Sequence, residues 1–134
     1  MGKLDAVGIV VTDLARAVKF YRLLGAPFEA GAEDSEHGHA EATLDGGIRL
    51  MLDTEEEVQK FDPSWKRAAG APTANLAFNC DTPKGVDELY VKAISAGARV
   101  HKEPFDAFWG QRYAQVRDHD GNGVDLYANL PSQS

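Results

Sequence analysis

The chain has 134 residues, 43% of them hydrophobic and 26% charged, the proportions of a globular protein of one domain or two small fused modules. Its formal net charge of -7 argues against a nucleic-acid backbone as partner, no run approaches the ~20 apolar residues of a membrane span, and the single cysteine, Cys80, cannot close an internal disulfide. The opening "MGKLDAVGIVVTDL" lacks the pattern of a signal peptide, and Met1-Gly2 is not followed by the Ser or Thr of a myristoylation signal, so a cytoplasmic protein is expected.

Residues 6–26, "AVGIVVTDLARAVKFYRLLGA", read as an apolar strand followed by a helix. Asp13 is suited to cap that helix. Leu14, Ala17, Val18, Tyr21 and Leu24 recur at the spacing of one helix face, and Gly25 supplies the stop. A loop follows. Residues 39–54, "HAEATLDGGIRLMLDT", then alternate as two strands around the tight turn Asp45-Gly46-Gly47. Thr54 and Glu57 form a capping box for a short helix that Asp62-Pro63 ends, and Trp65 stands in a polar connector. Residues 73–98 repeat the strand and helix. Thr82 caps, Pro83 takes the first helical position, Val86, Leu89, Tyr90, Ala93 and Ile94 form the buried face, and Gly97 stops it. "ARVHKEPFDAF" and "QRYAQVRDHDGNGVDLYAN" read as further strands, with a second tight turn at Asp120-Gly121-Asn122-Gly123. The tail "NLPSQS" is expected to fray.

Each half therefore reads as strand, helix and about three strands, at an offset of about 70 residues (Asp13 against Thr82). Two copies are too few for a solenoid. The prediction is an α+β protein of two βαβββ modules, residues 1–58 and 72–134, joined by a connector at 59–71. Their curled mixed sheets enclose a cavity. Open sheet edges favour pairing with a second chain, so a homodimer is expected, domain-swapped or not.

These paired modules, with "VVTDLARAVKFYRLLG" and "RDHDGNGVDL", resemble the vicinal oxygen chelate superfamily of glyoxalase I, extradiol dioxygenases and bleomycin-resistance proteins. The likeness spans nearly the whole chain. "LDGGIRL", "FDPSW", "WGQRYA" and "DGNGVDLYANLP" look like the mitomycin-binding resistance proteins of antibiotic producers. The resemblance implies a protein that sequesters a planar antibiotic such as mitomycin, bleomycin or an enediyne and does not convert it.

The superfamily's enzymes hold a divalent metal with four cavity-facing side chains, two per module and usually His, Gln or Glu. Such an ion acts as a Lewis acid. The resemblance puts the corresponding positions at Ala6, at or beside Arg49, at Asn75 and at Asp125. Alanine offers no donor, a carboxamide is a poor ligand, and arginine is a fixed cation. Asp125 alone is a plausible ligand, so no metal and no other cofactor is expected. A divalent-metal glyoxalase-like or dioxygenase-like enzyme with an atypical site is the alternative reading.

Other chemistries find less support. His37 and His39 share a face if their segment is extended, which could begin a metal site, or they contact solvent or a pocket. His119 and His101 read as solvated. Cys80 follows Phe78-Asn79 in an apolar run and reads as a small core residue and not as a nucleophile. No Gly-rich phosphate loop precedes a helix, and no serine sits in a nucleophile elbow.

Aromatic faces grip flat molecules, each contact contributing about 0.5–1.5 kcal/mol beyond burial. Trp109, followed by Gly110, is the first candidate, and the resemblance implies that this position lies in the drug site; otherwise it plugs the open end of the sheet. Phe108 and Tyr113 flank it, one facing in and one out. Phe61 and Trp65 on the connector form either a flap over the cavity or an anchor buried in the core or the dimer interface. His39, Arg49, Asn75, Arg112 and Asp125 are candidate polar fixing points, and Met51 an adaptable apolar wall. Arg49 and Asp125 hold corresponding places and could instead pair as a structural salt bridge, and Arg112 could be solvated.

Overall fold

Strand β1 (Ala6–Val11) leads through Asp13 into helix α1 (Leu14–Leu23). Asp13 is extended, and its Oδ1 accepts from the Arg16 N–H at 3.0 Å, satisfying one of the free donors of the first turn. After α1 the chain takes a single 3-10 turn, Ala32–Asp34, before β2 (His39–Thr43), β3 (Arg49–Thr54) and helix α2 (Glu55–Phe61). The second half runs β4 (Asn75–Asn79), α3 (Pro83–Ser95), β5 (Arg99–Ala107), β6 (Gln111–Arg117) and β7 (Gly123–Asn129). These elements come from a computed structural model that describes residues 1–131; the end of the "NLPSQS" tail, 132–134, lies outside the described residues.

The chain divides into two compact units, Met1–Gly70 and Ala71–Ser134, so residues 59–70 of the expected connector fall within the first unit. The first unit holds a three-stranded sheet in the order β1-β3-β2, with β1 parallel and β2 antiparallel to β3. The second holds a four-stranded sheet in the order β4-β7-β6-β5, with β4 parallel to β7 and the rest antiparallel. The α+β class with two sheets is thus observed. The second unit carries the full strand, helix, three-strand succession, whereas the first has two strands after its helix among the described residues.

The missing strand has a local cause. Arg22, near the end of α1, donates to the Glu29 carbonyl at 2.8 Å and to Glu33 Oε2 at 2.9 Å. The guanidinium's hydrogen bond holds the Glu33 carboxyl down at about 2. Folded back onto its own helix by these bonds, residues 28–34 make no strand ladder.

Each unit buries one face of its sheet under its long helix. In the first, Leu14, Val18 and Tyr21 of α1 are buried together with Leu50 and Leu52 of β3. In the second, Val86 and Ala93 of α3 are buried with Ala114 and Val116 of β6 and Val124 and Leu126 of β7. Full burial of a side chain such as Leu126 stabilises by about 1.5–3 kcal/mol. Leu89, Tyr90 and Ile94 of α3, predicted as core, are only half-buried.

Both expected hairpin turns form. Gly46 and Gly47 both have positive φ, 88° and 92°, the conformation a two-residue turn demands and side chains resist. At the second turn Asp118, 2% exposed, organises the loop: its Oδ1 accepts from the Asp120 and Asn122 N–H groups at 2.9 and 2.8 Å, and its Oδ2 from Asn122 Nδ2 at 2.9 Å. His119, expected to be solvated, is half-buried, and its Nε2 meets the Ala96 carbonyl at the C-terminal end of α3 at 3.0 Å.

Candidate functional site

Because strand side chains alternate, the sheet face turned away from each helix carries every second residue. The pairings fix which ones. In the first unit this open face holds Ala6, Gly8 and Val10 of β1, Arg49, Met51 and Asp53 of β3, and His39 and Glu41 of β2. Met51 lies over Gly8, where a Cβ would stand 3.6 Å from its terminal methyl carbon.

The polar residues of this face form one chain of charge. Asp53 Oδ1 lies 2.6 Å from His39 Nδ1, and Glu41 Oε2 lies 3.0 Å from His39 Nε2. Glu41 also accepts from Arg49 at 3.0 Å, and Arg49 reaches Asp5 at 2.5 Å. Both imidazole nitrogens face carboxylates, which favours the doubly protonated ring. Burial pulls the His39 pKa down, but its hydrogen bonds to Asp53 and Glu41 outweigh that and leave it raised. His37 is separated from it by Gly38 at φ 66°, so the segment is not extended and does not align the two rings as expected.

The open face of the second unit is aromatic at one end and amide-rich at its middle. Gln111, Tyr113 and Gln115 of β6 lie opposite Asn129, Tyr127 and Asp125 of β7. Phe105 of β5 lies opposite Tyr113, and Asn75 of β4 opposite Gly123. Trp109 stands in the β5–β6 turn, half-exposed, with Gly110 at φ 93° closing that turn. Three rings meet the indole nearly edge-on: Phe108 at 5.1 Å, Tyr113 at 5.4 Å and Phe105 at 6.2 Å between centroids. Tyr113 and Tyr127 stack at 6.5 Å. The indole N–H donates to Gln111 Oε1 at 2.7 Å, and Gln111 donates in turn to Asn129 at 3.2 Å, which fixes the plane of the ring.

Asp125 is 7% exposed and held by three uncharged donors. Its Oδ1 accepts from Asn75 Nδ2 at 2.9 Å and Gln115 Nε2 at 3.1 Å, and its Oδ2 accepts from the Tyr113 hydroxyl. Burial first, then the hydrogen bond to Asp125, pushes the Tyr113 pKa up to about 12. Gly123 makes the arrangement possible. A Cβ there would stand 1.9 Å from Asn75 Oδ1, so the amide occupies the space that the glycine leaves empty.

The predicted site residues thus fall into four places. Tyr113, Asn75 and Asp125 come together on the second unit's open face; Trp109 stands in the turn at its end against Tyr113, and Phe108, 97% exposed, beside Trp109. His39, Arg49 and Met51 share the first unit's open face. Phe61, 77% exposed, ends α2, and Trp65 follows it with the Arg67 guanidinium 5.7 Å over its ring. Arg112 lies on the opposite, helix-bearing side of its sheet, tied to Asp87 of α3 at 3.0 Å and to Asp106 at 3.2 Å, with its side chain 25% exposed, and is not on the open face. Arg49 pairs with Asp5 and Glu41, and Asp125 with Asn75, Gln115 and Tyr113, each set inside its own unit. Phe105, Gln111, Gln115 and Tyr127 were missed, although counting by two from Tyr113 and Asp125 gives the last three.

The donor set does not fit a divalent metal at the positions the resemblance implied. Ala6 has no donor, Arg49 is a cation already committed to Asp5 and Glu41, and Asn75 turns its N–H toward Asp125. Asp125 spends its oxygens on three hydrogen bonds. Burial pushes the Cys80 thiol pKa up, which opposes a thiolate nucleophile there.

The sequence profile of the Glyoxalase/Bleomycin resistance protein/Dioxygenase superfamily matches residues 3–126, and the chain belongs to that family. No curated protein matches it. Among solved structures it is similar to a glyoxalase/bleomycin resistance protein/dioxygenase family enzyme from Burkholderia phytofirmans PsJN, at a TM-score of 0.81 and 21% identity over 96% of this chain and 100% of that one. It is also similar to the hypothetical protein SA1046 from S. aureus, at 0.77 and 20% over 96% and 94%. TioX from Micromonospora sp. ML1 matches at a TM-score of 0.63 and 25% identity over 96% and 100%. No helix among the described residues is long and apolar enough to cross a membrane.

Proposed function

We propose that this chain is a binding protein that holds a flat aromatic molecule against the ring cluster of its second unit and does not convert it. The observation that carries the reading is that cluster: Trp109, half-exposed and locked in plane by Gln111, with Tyr113 and Phe105 behind it. A preset aromatic plane binds a flat ligand with little ordering cost. Micromolar affinity needs about 8 kcal/mol, which one stack and the burial around it can supply. The family includes bleomycin-resistance proteins, so a planar antibiotic such as mitomycin, bleomycin or an enediyne is the proposed ligand, and sequestration from its target the proposed role.

Calorimetric titration of the purified protein with these three drugs, with and without chelator, tests the reading. Binding that a chelator does not change is expected, and Trp109→Ala should weaken it more than tenfold with the circular dichroism spectrum unchanged. Stoichiometric metal in the purified protein, with a turnover lost on chelation, would instead establish a divalent-metal enzyme.

A further inference from the structure

Stacking leaves one feature of the second unit's open face without a role. Asp125 is buried, yet all three of its partners are uncharged, and among the described residues no cationic side chain pairs with it. Neutral donors satisfy the oxygens of a carboxylate but leave its charge uncompensated. On the same face Arg117 stands opposite Gly123, the pair next to Asp125, with Arg99 opposite it, and Lys102 stands opposite Gln115, but among the described residues none of the three makes an ion pair with Asp125.

The rings beside Asp125 carry the same electrostatic sign. An aromatic face is negative, and a cation placed over it is attracted. The second unit already uses this attraction: Lys102 lies over Phe105, its Nζ 4.9 Å from the ring centroid. Phe105 is on β5, with β6 between it and the strand of Asp125. Among the described residues no cation lies over the rings nearer to Asp125, Tyr113 and Tyr127. Tyr113 links the two features directly, since its ring borders Trp109 and its hydroxyl donates to Asp125. A buried carboxylate held by neutral donors alone, beside ring faces, suits an ammonium group.

Resting on the binding role proposed above, we infer that the ligand is a cation: a planar aromatic molecule bearing a protonated amine, its ring against Trp109 and its ammonium over Tyr113, balanced by Asp125. A neutral molecule of the same shape gains the stack but not the charge.

The test is calorimetry at neutral pH with naphthylmethylamine and its uncharged counterpart naphthylmethanol, on the wild type and on Asp125→Asn. The wild type should bind the amine about tenfold or more tightly than the alcohol. Asp125→Asn should bind the two alike. Equal affinities in the wild type, or a preference that persists in a folded Asp125→Asn, overturn the inference. Should that variant not fold, the wild-type ratio decides alone: a ratio near one overturns it. Alcohol bound as well as amine sinks only the cation, whereas neither compound bound sinks the aromatic-binding reading with it.

Discussion

Tyr113 is where the aromatic and acidic parts of the candidate site meet, and its hydroxyl reports on both. Its pKa stands at about 12, raised by burial and by the hydrogen bond to Asp125. Because the folded value lies above the unfolded one of about 10, the stabilisation is complete below pH 10 and disappears between about 10 and 12. Ring-labelled tyrosine NMR should show Tyr113 ionising late in the wild type. In Asp125→Asn it should ionise earlier but still late, since burial persists; an unchanged value would mean that Asp125 contributes nothing to it. Asn75 and Asp125 could be placed on one sheet face from the sequence because polar side chains stand out in an alternating strand, and Trp109 could be placed in the turn because Gly110 follows it. Arg112 misled because its charge suggested a site while its even-numbered place in β6 turned it to Asp87. Gln115 and Tyr127 escaped notice for the opposite reason, having ordinary side chains at the informative parity.

Across β2 and β3 the relevant unit is the charged chain Asp53–His39–Glu41–Arg49–Asp5. His39 has a raised pKa, so its contribution is present below its unfolded value of 6.5 and is lost as pH rises through the folded value. A His39→Gln variant should therefore lose most stability relative to wild type on the acid side, by about 0.2–1 kcal/mol as partly exposed ion pairs give. Denaturant midpoints across pH 5.5 to 8.5 check this, and a gap that widened toward alkaline pH would refute it. The helices were legible in the sequence because each carries its own start signal: Asp13, Thr54 and Thr82 all cap as read. The strand absent from the first unit was not. Its loss turns on Arg22 reaching Glu33, eleven residues away, and periodicity does not register a tether of that kind.

For the molecule as a whole, duplication made the fold readable, since two half-chains that share an order of elements constrain each other. Function was less readable: the family covers dioxygenases and resistance proteins alike, and the difference rests on a few side chains. Both sheets have unpaired outer strands, β1 and β2 in one, β4 and β5 in the other. Such edges invite a second copy, so light scattering in solution should give twice the chain mass, and a monomer at all concentrations would refute the dimer. The hollow at Gly123 has a longer reach than its size suggests. Since the Asn75 amide fills it, any lineage that acquired a side chain at 123 would have had to give up the amide at 75, and with it a support of the acid at 125. The three positions are in that sense one steric unit.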